Sequence, residues 1–91
     1  MKKIVISEFM DEAAVEDLRA DFDVLYDPEL VDHEDKLFAS LAEAEGIIVR
    51  NRTQVCGALL EAAPNLKTVG RLGVGLDNID LAACAARGIS V

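Results

Sequence analysis

The sequence predicts an α/β domain in which parallel strands alternate with helices. Three observations carry this prediction. Short β-branched runs alternate with longer stretches of helical periodicity, the connections are a few residues long, and the 52% of hydrophobic residues include few aromatics. This alternation favours parallel strands joined by right-handed crossovers, with helices on both faces of the sheet. A chain of ninety-one residues is long enough for one small domain.

Five segments are predicted to be strands because they are short, rich in β-branched residues and bounded by turn signals. They are KIVIS at 3–7, DVLY at 23–26, GIIVR at 46–50, KTVGRLG at 67–73 and ISV at 89–91. The first is a continuous apolar run, which is typical of a strand covered on both faces.

Apolar residues recur at helical spacing in the four stretches between these strands. The predicted helices cover 11–20, 34–44, 55–63 and 79–86. Thr53 or a residue just after it is expected to cap the third helix, and Asp77, Asn78 or Asp80 the fourth. Arg87 and Gly88 have the chemistry of a helix end.

The order of these elements predicts a flavodoxin-like three-layer sandwich with strand order 2-1-3-4-5, in preference to a Rossmann order. No helix follows the fifth strand, so one sheet face near that edge should lie bare. The domain is therefore expected to be truncated after strand five. Because an uncovered edge is a template for pairing, a second copy could associate there as a homo-oligomer.

Composition narrows the classes of partner. Seventeen acidic and nine basic residues give a net charge of −8, which argues against nucleic acids and anionic membranes as partners. The apolar run of MKKIVIS is too short for a signal peptide or a membrane span. Cys56 and Cys84 lack CxxC spacing and are expected to be free thiols, small apolar fillers on helices, in a cytoplasmic protein without a metal site.

One candidate site segment, RNRT at 50–53, leaves the third strand at its carboxyl end, where ligands bind in open α/β sheets. Arg50 and Arg52 offer planar forks suited to carboxylate, phosphate or sulfonate, and Asn51 can donate and accept. The alternative interpretation is a solvated charge pair on an acidic surface.

The second segment, GVGLDN at 73–78, leaves the fourth strand. It nearly matches GxGxxG, but Asn78 replaces the third glycine and no acidic residue follows about twenty positions on, which argues against a dinucleotide site. Val74 and Gly75 are instead predicted to present backbone N–H groups to a carboxylate. Alternatively, the glycines only make a tight turn. His33 is expected to be a solvated loop residue, and no catalytic residue is predicted.

In combination, GIIVRNRTQV and LLEAAPNLKTVGRLGVGLDNIDLAACAARGISV resemble the NAD-dependent D-2-hydroxyacid dehydrogenases, the family of D-3-phosphoglycerate dehydrogenase. The resemblance is to the first part of the substrate-binding domain and is strongest from Gly46 onward. It implies that Gly73, Val74 and Gly75 hold the carboxylate of a small 2-hydroxy or 2-oxo acid. It also implies that Arg50 and Asn51 line the pocket for the distal group.

The resemblance also places the family's catalytic Arg, Glu and His and its NAD fingerprint beyond Val91, in a nucleotide-binding domain that this chain lacks. The chain is therefore expected to bind no cofactor and to be inactive alone, with NAD serving the full-length parent. Arg50 and Arg52 suggest a second anionic group on the substrate. The alternative hypothesis is a stand-alone flavodoxin-like module that binds a small anion or self-associates without catalysis.

Overall fold

The computed structural model describes residues 2–72 and 75–91. In this part of the chain, strands alternate with helices as predicted. The strands are β1 (Lys3–Ile6), β2 (Asp23–Tyr26), β3 (Gly46–Val49) and β4 (Thr68–Arg71). The helices are α1 (Glu12–Arg19), α2 (Glu34–Ser40), α3 (Gly57–Ala62) and α4 (Leu81–Ala86), with a short 3₁₀ helix at Leu30–Asp32. None of the described helices is both long and apolar enough to cross a membrane.

The sheet has the order β2-β1-β3-β4, and each neighbouring pair is parallel. The predicted flavodoxin-like order is therefore confirmed for four strands. The fifth predicted strand lies beside β4 as expected, but it contributes only a bridge between Ser90 and Thr68. Two backbone hydrogen bonds hold it, from Val69 N–H to Ser90 O at 2.7 Å and from Ser90 N–H to Lys67 O at 2.9 Å.

Helices cover the two faces of the sheet unequally. On one face Val5, Ile47, Val49 and Val69 join a core that includes buried residues of α2, α3 and α4. On the other face a smaller cluster forms around Ile6, Val24 and Val15 of α1. The three-layer arrangement follows, because each strand buries alternate side chains on opposite faces.

Part of one sheet face is uncovered in the structure, as the sequence predicts. A groove of about 390 Å³ is lined by Ile4, Phe22, Ile48 and Gly70, among others, at the β3–β4 side of the face that carries α1. These four residues are only partly buried. Among the described helices α1 alone packs on this side, and one helix cannot cover four strands, so the apolar surface next to β4 stays accessible.

The end of α2 and the starts of α3 and α4 differ from the prediction by two residues or more. Helix α2 ends at Ser40 rather than at 44, because Leu41 and Ala44 N–H bond three residues back, to Phe38 O and Leu41 O, both at 3.1 Å. Helix α3 begins only at Gly57, after Cys56, whose side chain makes no capping bond. The prediction that both cysteines are small apolar fillers on helices is wrong for Cys56, which lies exposed just before α3, and is confirmed for Cys84, which is buried in α4.

The caps of α4 match the prediction, and Arg87 at its C-terminal end also contacts α3. Asp80 is the cap, accepting from Ala83 N–H at 3.0 Å, and Gly88 has a φ of +71°, which favours glycine. The Arg87 guanidinium donates to Leu60 O at 2.5 Å and to Ala63 O at 2.8 Å. Arg87 therefore adds a hydrogen bond to each of two carbonyl groups at the end of α3, which also accept from Ala63 N–H at 3.1 Å and from Leu66 N–H at 3.2 Å.

Candidate functional site

Three segments meet at the carboxyl edge of the sheet, where β1, β3 and β4 end. They are residues 7–9, 50–55 and 75–80. The two candidate segments predicted from the sequence are therefore neighbours, and the first segment was not predicted. Gly73 and Val74, which were predicted to hold a carboxylate, lie outside the described residues.

Glu8 is the centre of this edge, although it was not among the predicted site residues. Its side chain is only 4% exposed. Its Oε2 atom accepts hydrogen bonds from Arg50 N–H at 2.8 Å and Thr53 N–H at 3.0 Å, while Oε1 accepts from Arg52 N–H at 3.0 Å. The loop after β3 is thus folded around a carboxylate of the protein itself. An acidic residue directly after a buried strand was the signal available in the sequence.

The environment of Glu8 favours its charged form. Burial alone would raise the pKa of this carboxyl, but hydrogen bonds from Thr53, Arg50 and Arg52 outweigh burial and lower the pKa below the usual value of 4.5. Thr53 contributes through its hydroxyl as well as its N–H. The carboxylate is therefore ionised at neutral pH and remains so into mildly acidic conditions.

This pKa predicts how stability depends on pH. At a pH between the folded and unfolded pKa values of Glu8, the unfolded state binds a proton that the folded state does not. The contribution of Glu8 to the free energy of unfolding is therefore complete above pH 4.5. It is lost as the pH falls through the folded pKa. In urea unfolding at a series of pH values, Glu8→Gln should be less stable than wild type at neutral pH, and this difference should shrink below pH 4.5. Exposed Glu61 offers the control, because Glu61→Gln should follow wild type throughout. A difference that is constant with pH would contradict the prediction.

Thr53 has a role other than the predicted cap of α3. It is buried, and its hydroxyl lies 2.8 Å from the hydroxyl of Ser7, directly after β1. Its N–H donates to Glu8. Between Thr53 and the start of α3, Val55 forms a parallel bridge with Ile79. The predicted cap was Thr53 or a residue just after it, and Thr53 does not cap the helix because contacts distant in sequence use its N–H, hydroxyl and carbonyl groups.

Asn78 connects the two loops. It is 6% exposed, and its Nδ2 group donates to Arg50 O and to Thr53 O, both at 2.9 Å. Its Oδ1 atom accepts from Arg71 Nε at 3.1 Å. The backbone adds hydrogen bonds from Val55 N–H to Asn78 O and from Asp80 N–H to Val55 O, each 2.8 Å. Glu8 holds the N–H groups of the loop after β3, and Asn78 holds its carbonyl groups.

These contacts do not fit a dinucleotide site. In the GxGxxG pattern the third glycine allows close packing of helix and strand. Here Asn78 stands at that position, and its amide is occupied by the neighbouring loop. Helix α4 begins at Leu81, several residues after the glycines. We therefore assign no residue of the described chain to NAD.

The two arginines of the loop have different surroundings. Arg50 is half-buried, its guanidinium donates to Phe9 O at 3.1 Å, and its Cζ lies 5.7 Å from the centroid of the Phe9 ring. Arg52 is exposed and forms an ion pair with Asp32, whose hydrogen bond and charge raise the pKa of Arg52. Among residues 2–72 and 75–91, no ion pair includes Arg50. Arg50 is thus better placed than Arg52 to receive an external anion.

Asn51 and Gly75 are both exposed at this edge. Gly75 has a φ of +86°, in the left-handed region that disfavours side chains, and a Cβ atom there would meet nothing within 4 Å. Backbone conformation rather than crowding therefore accounts for glycine at this position. His33 is exposed before α2, as expected of a solvated loop residue. The assembled edge presents a guanidinium and an amide on a braced loop, an arrangement suited to binding an anion.

Comparisons with known proteins agree on one family. The family profile described as "D-isomer specific 2-hydroxyacid dehydrogenase, catalytic domain" matches residues 4–91. The chain is 54% identical over 91 residues to the (S)-sulfolactate dehydrogenase of Chromohalobacter salexigens, and the match covers 100% of this chain and 29% of that enzyme.

Two solved structures are similar to at least 97% of this chain. The PH0520 protein from Pyrococcus horikoshii OT3 is similar with a TM-score of 0.86 and 29% identity, over 100% of this chain and 28% of that one. The NAD⁺-bound 3-phosphoglycerate dehydrogenase of Entamoeba histolytica has a TM-score of 0.80 and 28% identity, over 97% of this chain and 31% of that one. The chain therefore spans less than a third of the length of these relatives.

Proposed function

Because the chain belongs to the family of D-isomer specific 2-hydroxyacid dehydrogenases, we propose that it is the substrate-binding part of an NAD-dependent enzyme that acts on the CH–OH group of a D-2-hydroxy acid. The observation that supports this most is the environment of Arg50. Its guanidinium has no carboxylate partner among the described residues and stands beside exposed Asn51 on a loop that Glu8 and Asn78 brace.

The proposed division of roles is simple. Backbone N–H groups of the glycine loop, at Gly73, Val74 and Gly75, bind the substrate carboxylate, and Arg50 and Asn51 bind the group at its other end. NAD, bound by a separate nucleotide-binding domain, supplies the hydride acceptor in the full-length enzyme. The present residues bind and orient the acid, so the chain alone is inactive.

A substrate with a second anionic group agrees with the charge at this edge. In sulfolactate the sulfur-bearing substituent outranks the carboxylate in the priority rules, so the spatial arrangement called D in lactate is named S in sulfolactate. The substrate in the name of the (S)-sulfolactate dehydrogenase therefore has the D configuration, which is the isomer in the name of the family. The Arg50 fork matches a sulfonate, phosphate or carboxylate at the distal position.

An amide-resolved NMR titration of the 91-residue protein tests this function. We expect (S)-sulfolactate to shift amide signals at 50–53 and 73–78, and D-lactate to shift mainly those at 73–78. Addition of NAD should move neither set. Shifts spread over the surface, or none at these two loops, would count against the proposed site.

A further inference from the structure

We propose that Glu8 is a positioning residue, which sets the orientation of Arg50 in the substrate loop. The geometric part of this inference stands on contacts within the protein. Its consequence for substrate choice rests on the proposed function.

Residues 8 and 9 hold Arg50 at both of its ends. The Glu8 carboxylate accepts from the Arg50 backbone N–H at 2.8 Å, and Phe9 O accepts from the guanidinium at 3.1 Å. The Phe9 ring, 62% exposed, lies beneath the guanidinium carbon. An arginine side chain has five N–H donors, so the remaining donors of this one are available to a ligand. The segment after β1 thus determines where the cation stands.

The position of Glu8 requires a carboxylate. Three backbone N–H groups of one loop converge on its two oxygens, as they do in backbone nests that bind anions. A glutamine has one oxygen and one NH₂ group, so its NH₂ group, which is a donor, would face at least one N–H donor of the loop. Because these three N–H groups already donate to Glu8, they are unavailable to the substrate. The loop after β3 therefore offers a ligand its side chains.

Loss of the Glu8 charge should loosen Arg50 without unfolding the loop. Asn78 still binds Arg50 O and Thr53 O, each at 2.9 Å, and the Ser7 and Thr53 hydroxyls still meet at 2.8 Å. The two Asn78 contacts restrain the carbonyl side of the loop and do not involve Glu8. The orientation of Arg50 is accordingly the property that should respond most to Glu8.

Ring-current shifts of the Arg50 side chain measure this orientation in the protein without ligand. Phe9→Leu removes the ring and defines the unshifted signals. We expect Glu8→Gln to move the Arg50 side-chain protons at least halfway from the wild-type positions toward those of Phe9→Leu, and Glu8→Asp to move them less. Glu61→Gln, which removes an exposed charge on α3, should retain the wild-type positions.

Wild-type Arg50 signals in folded Glu8→Gln would overturn the proposal. If Glu8→Gln does not fold, Glu8→Asp decides the question. Asp keeps the charge but is one methylene shorter, so a partial displacement supports positioning and unchanged signals overturn it.

A double-mutant cycle then tests the consequence for binding, with (S)-sulfolactate and D-lactate as probes. Glu8→Gln should weaken (S)-sulfolactate binding about tenfold and D-lactate binding by less than about twofold. In an Arg50→Ala background, Glu8→Gln should have no further effect on (S)-sulfolactate. An equal loss in both backgrounds would show that Glu8 does not act through Arg50. If the wild-type protein binds neither acid, the proposed function fails, while the ring-current result still decides the role of Glu8.

Discussion

Replacement of Asn78 by alanine is expected to lower the free energy of unfolding by about 3 kcal/mol. The substitution removes the donor that satisfies Arg50 O and Thr53 O, each at 2.9 Å, and the acceptor that meets Arg71 Nε at 3.1 Å. A buried polar group that loses its partner costs about 1–3 kcal/mol, and Thr53 is almost fully buried. For a domain of this size, we expect a Tm lower by at least about 10 °C in thermal unfolding.

Two further variants make this prediction specific. Asn65, an exposed asparagine in the turn before β4, provides the control, because Asn65→Ala should change the Tm by less than about 3 °C. Asn78→Asp places an oxygen where the NH₂ group stood, so it should destabilise the protein at least as much as Asn78→Ala at neutral pH. A Tm of Asn78→Ala equal to that of Asn65→Ala would mean that the two loops are held together by their backbone bridge alone.

Replacement of Arg50 by alanine is expected to weaken the binding of a doubly anionic D-2-hydroxy acid by about 10- to 100-fold, and of D-lactate by less than about threefold. The expected loss follows from hydrogen bonds between a guanidinium and an anion, which contribute about 1.5–3 kcal/mol. Arg50→Lys keeps the charge without the planar fork, so it should give an intermediate affinity. NMR titration or calorimetry with (S)-sulfolactate and D-lactate measures these ratios.

Arg52 is the matched control, since it lies in the same loop and carries the same charge. It is exposed and paired with Asp32, so Arg52→Ala should reduce (S)-sulfolactate affinity by less than about threefold, an effect typical of a screened surface charge. Equal losses for both acids in Arg50→Ala, or a larger loss in Arg52→Ala than in Arg50→Ala, would refute the assignment of the distal anion to Arg50.

The sequence by itself determined the strand order, the succession of helices and the family. Each of these rests on local information. The runs at 3–6, 23–26 and 46–49 are strands because their side chains suit a buried pleated surface, and Asp80 and Gly88 delimit α4 through caps that act within one turn. The motifs around Arg50 and Gly75 carried the resemblance to the dehydrogenases because they are contiguous in the chain.

Only the tertiary structure decided what individual polar residues do. Glu8 directly follows a buried strand, but this signal does not identify its partners, because Arg50, Arg52 and Thr53 lie more than forty positions away. Thr53 has the chemistry of a helix cap, yet it serves Glu8 and Ser7 because their donor and acceptor positions meet where β1 and β3 end side by side. Local periodicity does not specify which loops parallel strands bring to one edge, and that juxtaposition turns a surface acid into the buried anchor of the candidate site.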